Sequence, residues 1–287
     1  MSSPLRYPGS KASLTDYIIN VLSENYLEQC IFIEPYAGSS VLSIELLHQG
    51  KIDRAILVER DPLVYAFWKC VFEYPFQLIE RIQNLPITME TWAKFQKYRH
   101  TDSPFAYPLL EMGLAGLFFN RTTFSGIMNA GPLGGASQLS QYKLDCRFNK
   151  DRLTKQIYDI SLYNRKFDVY FDDALNFLKA KKRQFYKENC FLYVDPPYYQ
   201  KGASLYRYWY NHDDHKKLSQ HLLNLKIPWL LSYDNHEAIR RLYKSANGSQ
   251  EIYIDYSVGN YRREQELLFS NLHIPPFIEQ QMRLSTA

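Results

Sequence analysis

Short, almost wholly apolar runs alternate with longer mixed stretches along this chain, and that alternation predicts most of its elements. CIFIE (30–34), AILVE (55–59), KFDVYF (166–171), FLYV (191–194) and PWLLSY (228–233) are too short for helices and predict strands. Helical stretches follow them, the first running from Val41 to about His48 and stopped by Gly50. Near the end, EIYIDYSV (251–258) and ELLFSN (266–271) flank GNYRREQ, which predicts a closing antiparallel hairpin. Strands alternating with helices, with runs apolar throughout, predict an α/β fold: a doubly wound, mostly parallel sheet covered on both faces.

Between residues 74 and 151 this rhythm breaks. A polar helix containing Trp92 is followed by LLEMGLAGLFFN (109–120) and the glycine-rich SGIMNAGPLGGAS (125–137). The pattern predicts an inserted, mostly helical subdomain with a long exposed loop, flanked by two halves of one catalytic domain (1–73 and 152–271). Residues 272–287 read as a loose tail.

Composition narrows this only slightly. A chain of 287 residues buries roughly three quarters of its unfolded surface, enough for one domain with an insertion. The 24 tyrosines suit surfaces that stack on flat ligands, although many rings must belong to the core. A net charge of +4 permits a nucleic-acid partner without arguing for one. The cysteines at 30, 70, 146 and 190 form no C-x-x-C pair, which excludes zinc-ribbon and thioredoxin-like readings. Cys30 and Cys190 each open a strand and read as core thiols of a reducing cytosol. MSSPLRYPGSK lacks the apolar stretch of a signal peptide, and no apolar run reaches the ~18 residues of a membrane span. A cytoplasmic protein without a membrane partner is expected.

Where FLYV ends, the chain reads DPPYY (195–199). Pro196 stops the strand and Pro197 holds Pro196 extended, so the turn is stiff. It fixes the Asp195 carboxylate and the Pro196 carbonyl at the carboxyl edge of the sheet, where open α/β sheets bind ligands. By average residue usage DPPY occurs by chance in roughly one chain of this length in a thousand, so its position at a strand end is a strong signal. The letters suit an exocyclic amino group on a base, whose lone pair is delocalised into the ring. Two acceptors, Asp195 and the Pro196 carbonyl, take its two hydrogens and draw the nitrogen toward a nucleophilic geometry. Orienting such a displacement is worth up to ~7–11 kcal/mol of barrier. Tyr198 is expected to stack on the base, which must swing out of a duplex to arrive there.

The first strand-to-helix turn, Glu34, Pro35, Tyr36, Ala37, Gly38, Ser39 and Ser40, lets backbone approach a ligand but lacks the glycine patterns that seat a pyrophosphate or triphosphate. About twenty residues after Gly38 comes Glu59, the spacing at which an acid takes ribose hydroxyls. A nucleoside without phosphates, beside carboxylates, points to S-adenosylmethionine, whose sulfonium is cationic. An ordinary tight turn and a solvated strand end fit this segment equally. At the N-terminus, Lys11 is placed to pair with a carboxylate such as that of a methionine moiety, with Tyr7 packed on it. The alternative is a plain helix start near Leu14, capped by Ser10 or Ser13. Asp172 and Asp173 either cap the next helix or accept from an adenine amino group, and the two roles are compatible.

Taken in order, Tyr7 with Lys11, EPYAGSS, Glu59 and DPPYY resemble the Dam-type adenine-specific DNA methyltransferases of the alpha arrangement, over about residues 4–271. The resemblance implies a Rossmann-like seven-stranded methyltransferase sheet and S-adenosylmethionine as donor. It implies Tyr7, Lys11, Glu59 and Asp195 as cofactor contacts, and a target-recognition insert before DPPY that binds double-stranded DNA. FFNRTTFSG (118–126) is similar to the start of that family's DNA-contacting hairpin, which implies Arg121 at phosphate and Phe124 against the base stack, with Thr122, Ser125, Ile127 and Asn129 around them. A restriction endonuclease of matching specificity is a partner such a chain can have.

After DPPY, QKGASLYRYWYNHDDHKK (200–217) reads as a loop that orders over the base with Lys201, Tyr206 and Arg207. HDDH reads as the N-cap of the next helix at Asp213 or Asp214 rather than a metal site. The basic run KAKKRQFYK (179–187) precedes the strand ending in Asp195, so it belongs on the opposite edge as a solvated face. Methylation of cytosine or of a protein glutamine, and a DNA-binding module with a vestigial pocket, are the competing readings. One departure from the family bears on specificity. Where GATC-methylating members carry an Arg suited to guanine, this chain has Asn129, which prefers the edge of adenine.

Overall fold

In the computed structural model, which describes residues 1–7, 9–256 and 262–277, every expected strand is present. They are β1 (Ile31–Glu34), β2 (Arg54–Glu59), β3 (Phe167–Phe171), β4 (Cys190–Val194), β5 (Trp229–Asp234), β6 (Gly248–Tyr256) and β7 (Arg262–Ser270). The helices are α1 (Thr15–Glu24), α2 (Val41–His48), α3 (Pro62–Glu73), α4 (Pro75–Asn84), α5 (Met89–Arg99) and α6 (Leu109–Thr122), then α7 (Lys150–Ser161), α8 (Ala174–Phe185), α9 (Gly202–Leu205), α10 (His212–Leu223) and α11 (Glu237–Leu242). Among the described residues no helix is long and apolar enough to cross a membrane.

The strands form one sheet in the order β3-β2-β1-β4-β5-β7-β6, parallel from β3 to β5, with β7 antiparallel to both its neighbours. Period two explains the layering. Phe32, Leu57, Phe191, Tyr193 and Leu230 point to one apolar layer, while Ile33, Ile56, Val58, Leu192 and Leu231 point to another. Both layers are buried, so the strands are apolar throughout. The β6–β7 ladder runs from Gly248 opposite Ser270 to Tyr256 opposite Arg262, longer than the apolar pattern predicts. Antiparallel pairing carries the charged residues at 262–264 into the ladder, because part of this edge pair faces solvent. The expected hairpin turn at 257–261 and the tail beyond 277 lie outside the described residues. The start of that predicted tail is anchored, however: Tyr17 donates to the Pro275 carbonyl at 3.0 Å and the Phe277 amide to Gln250 at 3.0 Å.

Helices α1 to α7 supply the first layer and α8, α10 and α11 the second. α6 is buried on almost every side because two small residues let it lie directly on α3: a Cβ at Gly116 would stand 2.4 Å from the Leu63 carbonyl oxygen. β1 and β4 are adjacent in the sheet, but the chain leaves them toward opposite layers, through α2 and α10. That reversal opens a crevice at their carboxyl ends.

Candidate active site

The crevice is a cleft walled by the N-terminal loop, the turn after β1 and the tyrosines at 206, 208 and 210. Strand ends deliver its acids: Glu34 from β1, Glu59 from β2, Asp173 after β3 and Asp195 after β4 all line it. Asp195 accepts from Ser232 Oγ at 2.8 Å, and Lys11 Nζ lies 3.1 Å from its carboxylate. Since the Ser232 proton points to Asp195, the Tyr193 hydroxyl 2.8 Å away must donate to Ser232. Asp195 is therefore held from two sides, yet its side chain keeps 24% exposure toward the cleft.

Lys11 has only 2% side-chain exposure and stands between two acids. It donates to the Gly9 carbonyl at 2.7 Å and to Tyr198 Oη at 3.2 Å, and lies 3.3 Å from Glu266 on β7. Burial opposes its charge, but Asp195 and Glu266 outweigh that and raise its pKa above the ordinary value. Lys11 lines the cleft, as expected of a cofactor contact, and its protein partners also clamp the N-terminal loop onto DPPY. Neither serine alternative holds. The short turn Ala12–Leu14 and α1 have no side-chain cap.

Tyr198, expected to stack on the base, is 5% exposed, its hydroxyl donates to Glu266 at 2.8 Å, and its ring lies 5.2 Å from Lys11 Nζ. The reason is the β7 carboxylate, invisible from the motif, which draws the hydroxyl inward. Gly9, at φ +78°, completes the packing, because a Cβ there would stand 2.5 Å from Tyr198 Oη. The two prolines withhold donors, and the amides of Tyr199 and Gln200 both donate to Asp234 at the end of β5 (2.8 and 3.1 Å). Pro196 is buried and Pro197 lines the cleft.

On the opposite wall, Glu59 accepts amides from Gly38, Arg60 and Asp61 at 3.0, 2.9 and 2.8 Å. Burial outweighs these bonds and pushes its pKa up to about 7. Glu34 is likewise raised to about 7 by burial, against hydrogen bonds from the Ser43 amide and hydroxyl. Gly38 turns the loop at φ +48° with the Tyr7 ring 3.0 Å from where its Cβ would be, and Trp68 Nε1 donates to its carbonyl at 2.9 Å. Pro35, Tyr36, Ala37, Ser39 and Ser40 line the same wall. Asp173 caps α8 through the amides of Leu175 and Asn176, and its other oxygen lies 3.4 Å from Arg60.

Residues 7–256 match the family described as D12 class N6 adenine-specific DNA methyltransferase. The chain belongs to that family. It is therefore an enzyme of DNA adenine methylation, and the match contains every residue that lines the cleft. No curated protein matches it. Among solved structures, one titled "crystal structure of a putative RNA methyltransferase PH1948 from Pyrococcus horikoshii" is 12% identical, covering 93% of this chain and 85% of that one with a TM-score of 0.40.

Several residues of the methyltransferase stand elsewhere than expected. Tyr206 belongs to the cleft, 5.8 Å from Tyr7 and 6.2 Å from Tyr198 between ring centroids, with Tyr208 and Tyr210 on the same wall. Arg207 is turned inward with 11% side-chain exposure, bound to the Thr101 carbonyl and, at 3.2 Å, to Asp102. Lys201 is exposed and paired with Glu264 at 3.0 Å. The expected hairpin after Phe118 is instead the end of α6 and a single turn, Phe124–Gly126, with one isolated bridge between Thr123 and Pro132. Arg121 donates through Nε to the Pro4 carbonyl at 2.6 Å, and burial together with nearby Arg6, Arg152 and Arg147 lowers its pKa to about 10. Thr122 is buried on the Phe118 carbonyl. Phe124 and Asn129 are exposed, while Ser125 and Ile127 are half-buried. The cap of α10 is Asn211, and Asp214 closes the capping box, because the helix begins two residues before the expected acid pair takes that place. The basic run ends α8 at the far edge of the sheet.

The motif reading missed Ser232, Glu266, Tyr193, Arg60, Tyr208 and Tyr210. The spacing Y-x-Y-x-Y at 206–210 was a usable signal for the tyrosines. Ser232 and Glu266 carry none, since Ser232 is a small residue within an apolar run and Glu266 is one of several polar residues that open β7.

Proposed function

We propose that this methyltransferase moves a methyl group from S-adenosylmethionine to the exocyclic amino group of an adenine that is swung out of a short, specific site in double-stranded DNA. The cleft fits that donor. Glu59 is set to accept ribose hydroxyls, the tyrosines of 206–210 offer ring faces to an adenine, Asp173 stands beside them, and four carboxylates surround the space without any phosphate cradle. When bound there, S-adenosylmethionine supplies an electrophilic methyl on a cationic sulfonium.

The chain's own groups do the rest. Asp195 carries the proposal: a carboxylate fixed by Lys11 and Ser232, still open toward the cleft and followed by a stiff turn. It accepts one hydrogen of the amino group and the Pro196 carbonyl accepts the other, and neither has to reorganise as charge develops. Burial raises the pKa of Asp195, and Lys11 opposes that while keeping the carboxylate oriented. Phe124, Asn129 and Lys201 are the outward residues through which DNA is met, with Ser125 and Ile127 shaping the loop. Arg121 and Thr122 support it from beneath. We place the insert at 74–151 as the target-recognition part, the protein in the cytoplasm, and a restriction endonuclease of the same specificity as its partner.

Incubation with tritiated S-adenosylmethionine and duplex DNA, RNA or protein tests this. Label in adenine of duplex DNA is expected, and label in cytosine, RNA or protein alone would refute the proposal.

A further inference from the structure

The segment 206–210 crosses the cleft and is fastened at one point. Arg207 reaches the Thr101 carbonyl and Asp102 Oδ1 (3.2 Å), and the Tyr208 hydroxyl donates to the same Asp102 oxygen at 2.7 Å. Arg207 also lies 4.0 Å from Asp61, the cap of α3, whose amide is bound by Glu59. Thr101 and Asp102 follow α5, which ends in Arg99. The Arg99 guanidinium is packed over Phe119 (4.7 Å) and Trp92 (5.3 Å) and binds the carbonyls of Met128 and Ala130, the latter at 3.0 Å. Those are the carbonyls on either side of Asn129. Asp102 is 84% exposed, so nothing in its own burial explains two convergent donors.

We infer that Asp102 is a positioning residue that ties the tip of the DNA-reading loop to the wall of the cofactor cleft, so that each site biases the other. The inference rests on the proposed function, which places DNA at Asn129 and S-adenosylmethionine in the cleft. Its physical content is a short chain of rigid groups. A load on the 128–130 backbone reaches Arg99, the α5 end moves with it, and Asp102 carries the shift to Arg207 and Tyr208. Coupling of this kind is reciprocal: whatever factor DNA adds to cofactor affinity, cofactor adds to DNA affinity. Neither Arg99 nor Asp102 lines the cleft, which separates them from its binding residues.

Calorimetric titration of the full chain with S-adenosylhomocysteine, with and without unmethylated plasmid DNA, tests it. In the unaltered protein DNA should tighten binding at least about fivefold, the lower end of ordinary coupling. Asp102→Ala should bring that ratio close to one while S-adenosylhomocysteine still binds without DNA. Asp102→Asn, which keeps an acceptor, should fall between. A merely structural role would weaken binding equally in both conditions. A ratio of one in the unaltered protein, or an undiminished ratio in both variants, would overturn the inference. Absence of S-adenosylhomocysteine binding to the unaltered protein would overturn the proposed function and this inference with it.

Discussion

Asp195 and Lys11 depend on each other in a way that separates activity from stability. Replacing Asp195 with Ala removes the acceptor and should cost at least ~2–4 kcal/mol of transition-state stabilisation, on the order of a hundredfold or more in turnover. It also leaves buried Lys11 with Glu266 as its remaining acid, so a stability loss of about 1–3 kcal/mol should accompany it. Turnover on duplex DNA and a urea titration read the two effects, and near-normal turnover would refute the acceptor role. At Glu59 the expected pattern is different. Three backbone amides converge on its carboxylate, and a Gln there would turn an amide donor toward at least one of them. Glu59→Gln should therefore raise the Michaelis constant for S-adenosylmethionine about tenfold or more, with turnover much less affected, as loss of uniform binding predicts. An unchanged Michaelis constant would remove Glu59 from the cofactor site.

At the scale of elements, the proposed function gives α6 and the loop after it the DNA-facing role. The helix brings Arg121 and Thr122 inward, so in that proposal sequence is read by the following turn, above all by Asn129, exposed between two anchored carbonyls. A side chain that short favours the edge of adenine over the guanine contact an Arg makes. The methylated adenines should accordingly lie in a short site other than GATC. Single-molecule sequencing of DNA from a methylation-deficient host expressing this chain reads the site directly, and modification confined to GATC would defeat the Asn129 argument while leaving the enzyme class intact.

For the molecule as a whole, the cleft imposes a cost on folding that depends on pH. Glu34 and Glu59 have folded pKa values of about 7 against an ordinary 4.5, because burial disfavours their charge. Both bind protons more tightly folded than unfolded. Their contribution to stability is thus fully present below about pH 4.5 and is lost as pH rises through about 7. Urea midpoints should fall between pH 5 and pH 7 and then level off. Glu34→Gln, which keeps an acceptor for Ser43, should flatten part of that decline. An identical pH dependence in the variant would show that Glu34 titrates normally.

Burial within each strand is written in the strand's own residues, since both faces of the sheet are covered over its central strands and most positions there are apolar. That is why β1 to β5 were legible, along with the turn DPPY that ends β4 and the acids Glu34 and Glu59 at the sheet's edge. The length of the β6–β7 ladder was not, because inter-strand hydrogen bonding tolerates any residue on a solvated edge. Partner choice is a different kind of information. Whether Lys11 meets a ligand or Glu266, whether Tyr198 faces a base or turns inward, and whether Arg207 reaches DNA or Asp102 depend on which distant strands and loops cross at that point. No periodicity records such crossings. The chain by itself determined where carboxylates would gather and what chemistry they suit. Only the tertiary structure decided which of the surrounding groups hold that site together and which remain open to act on a ligand.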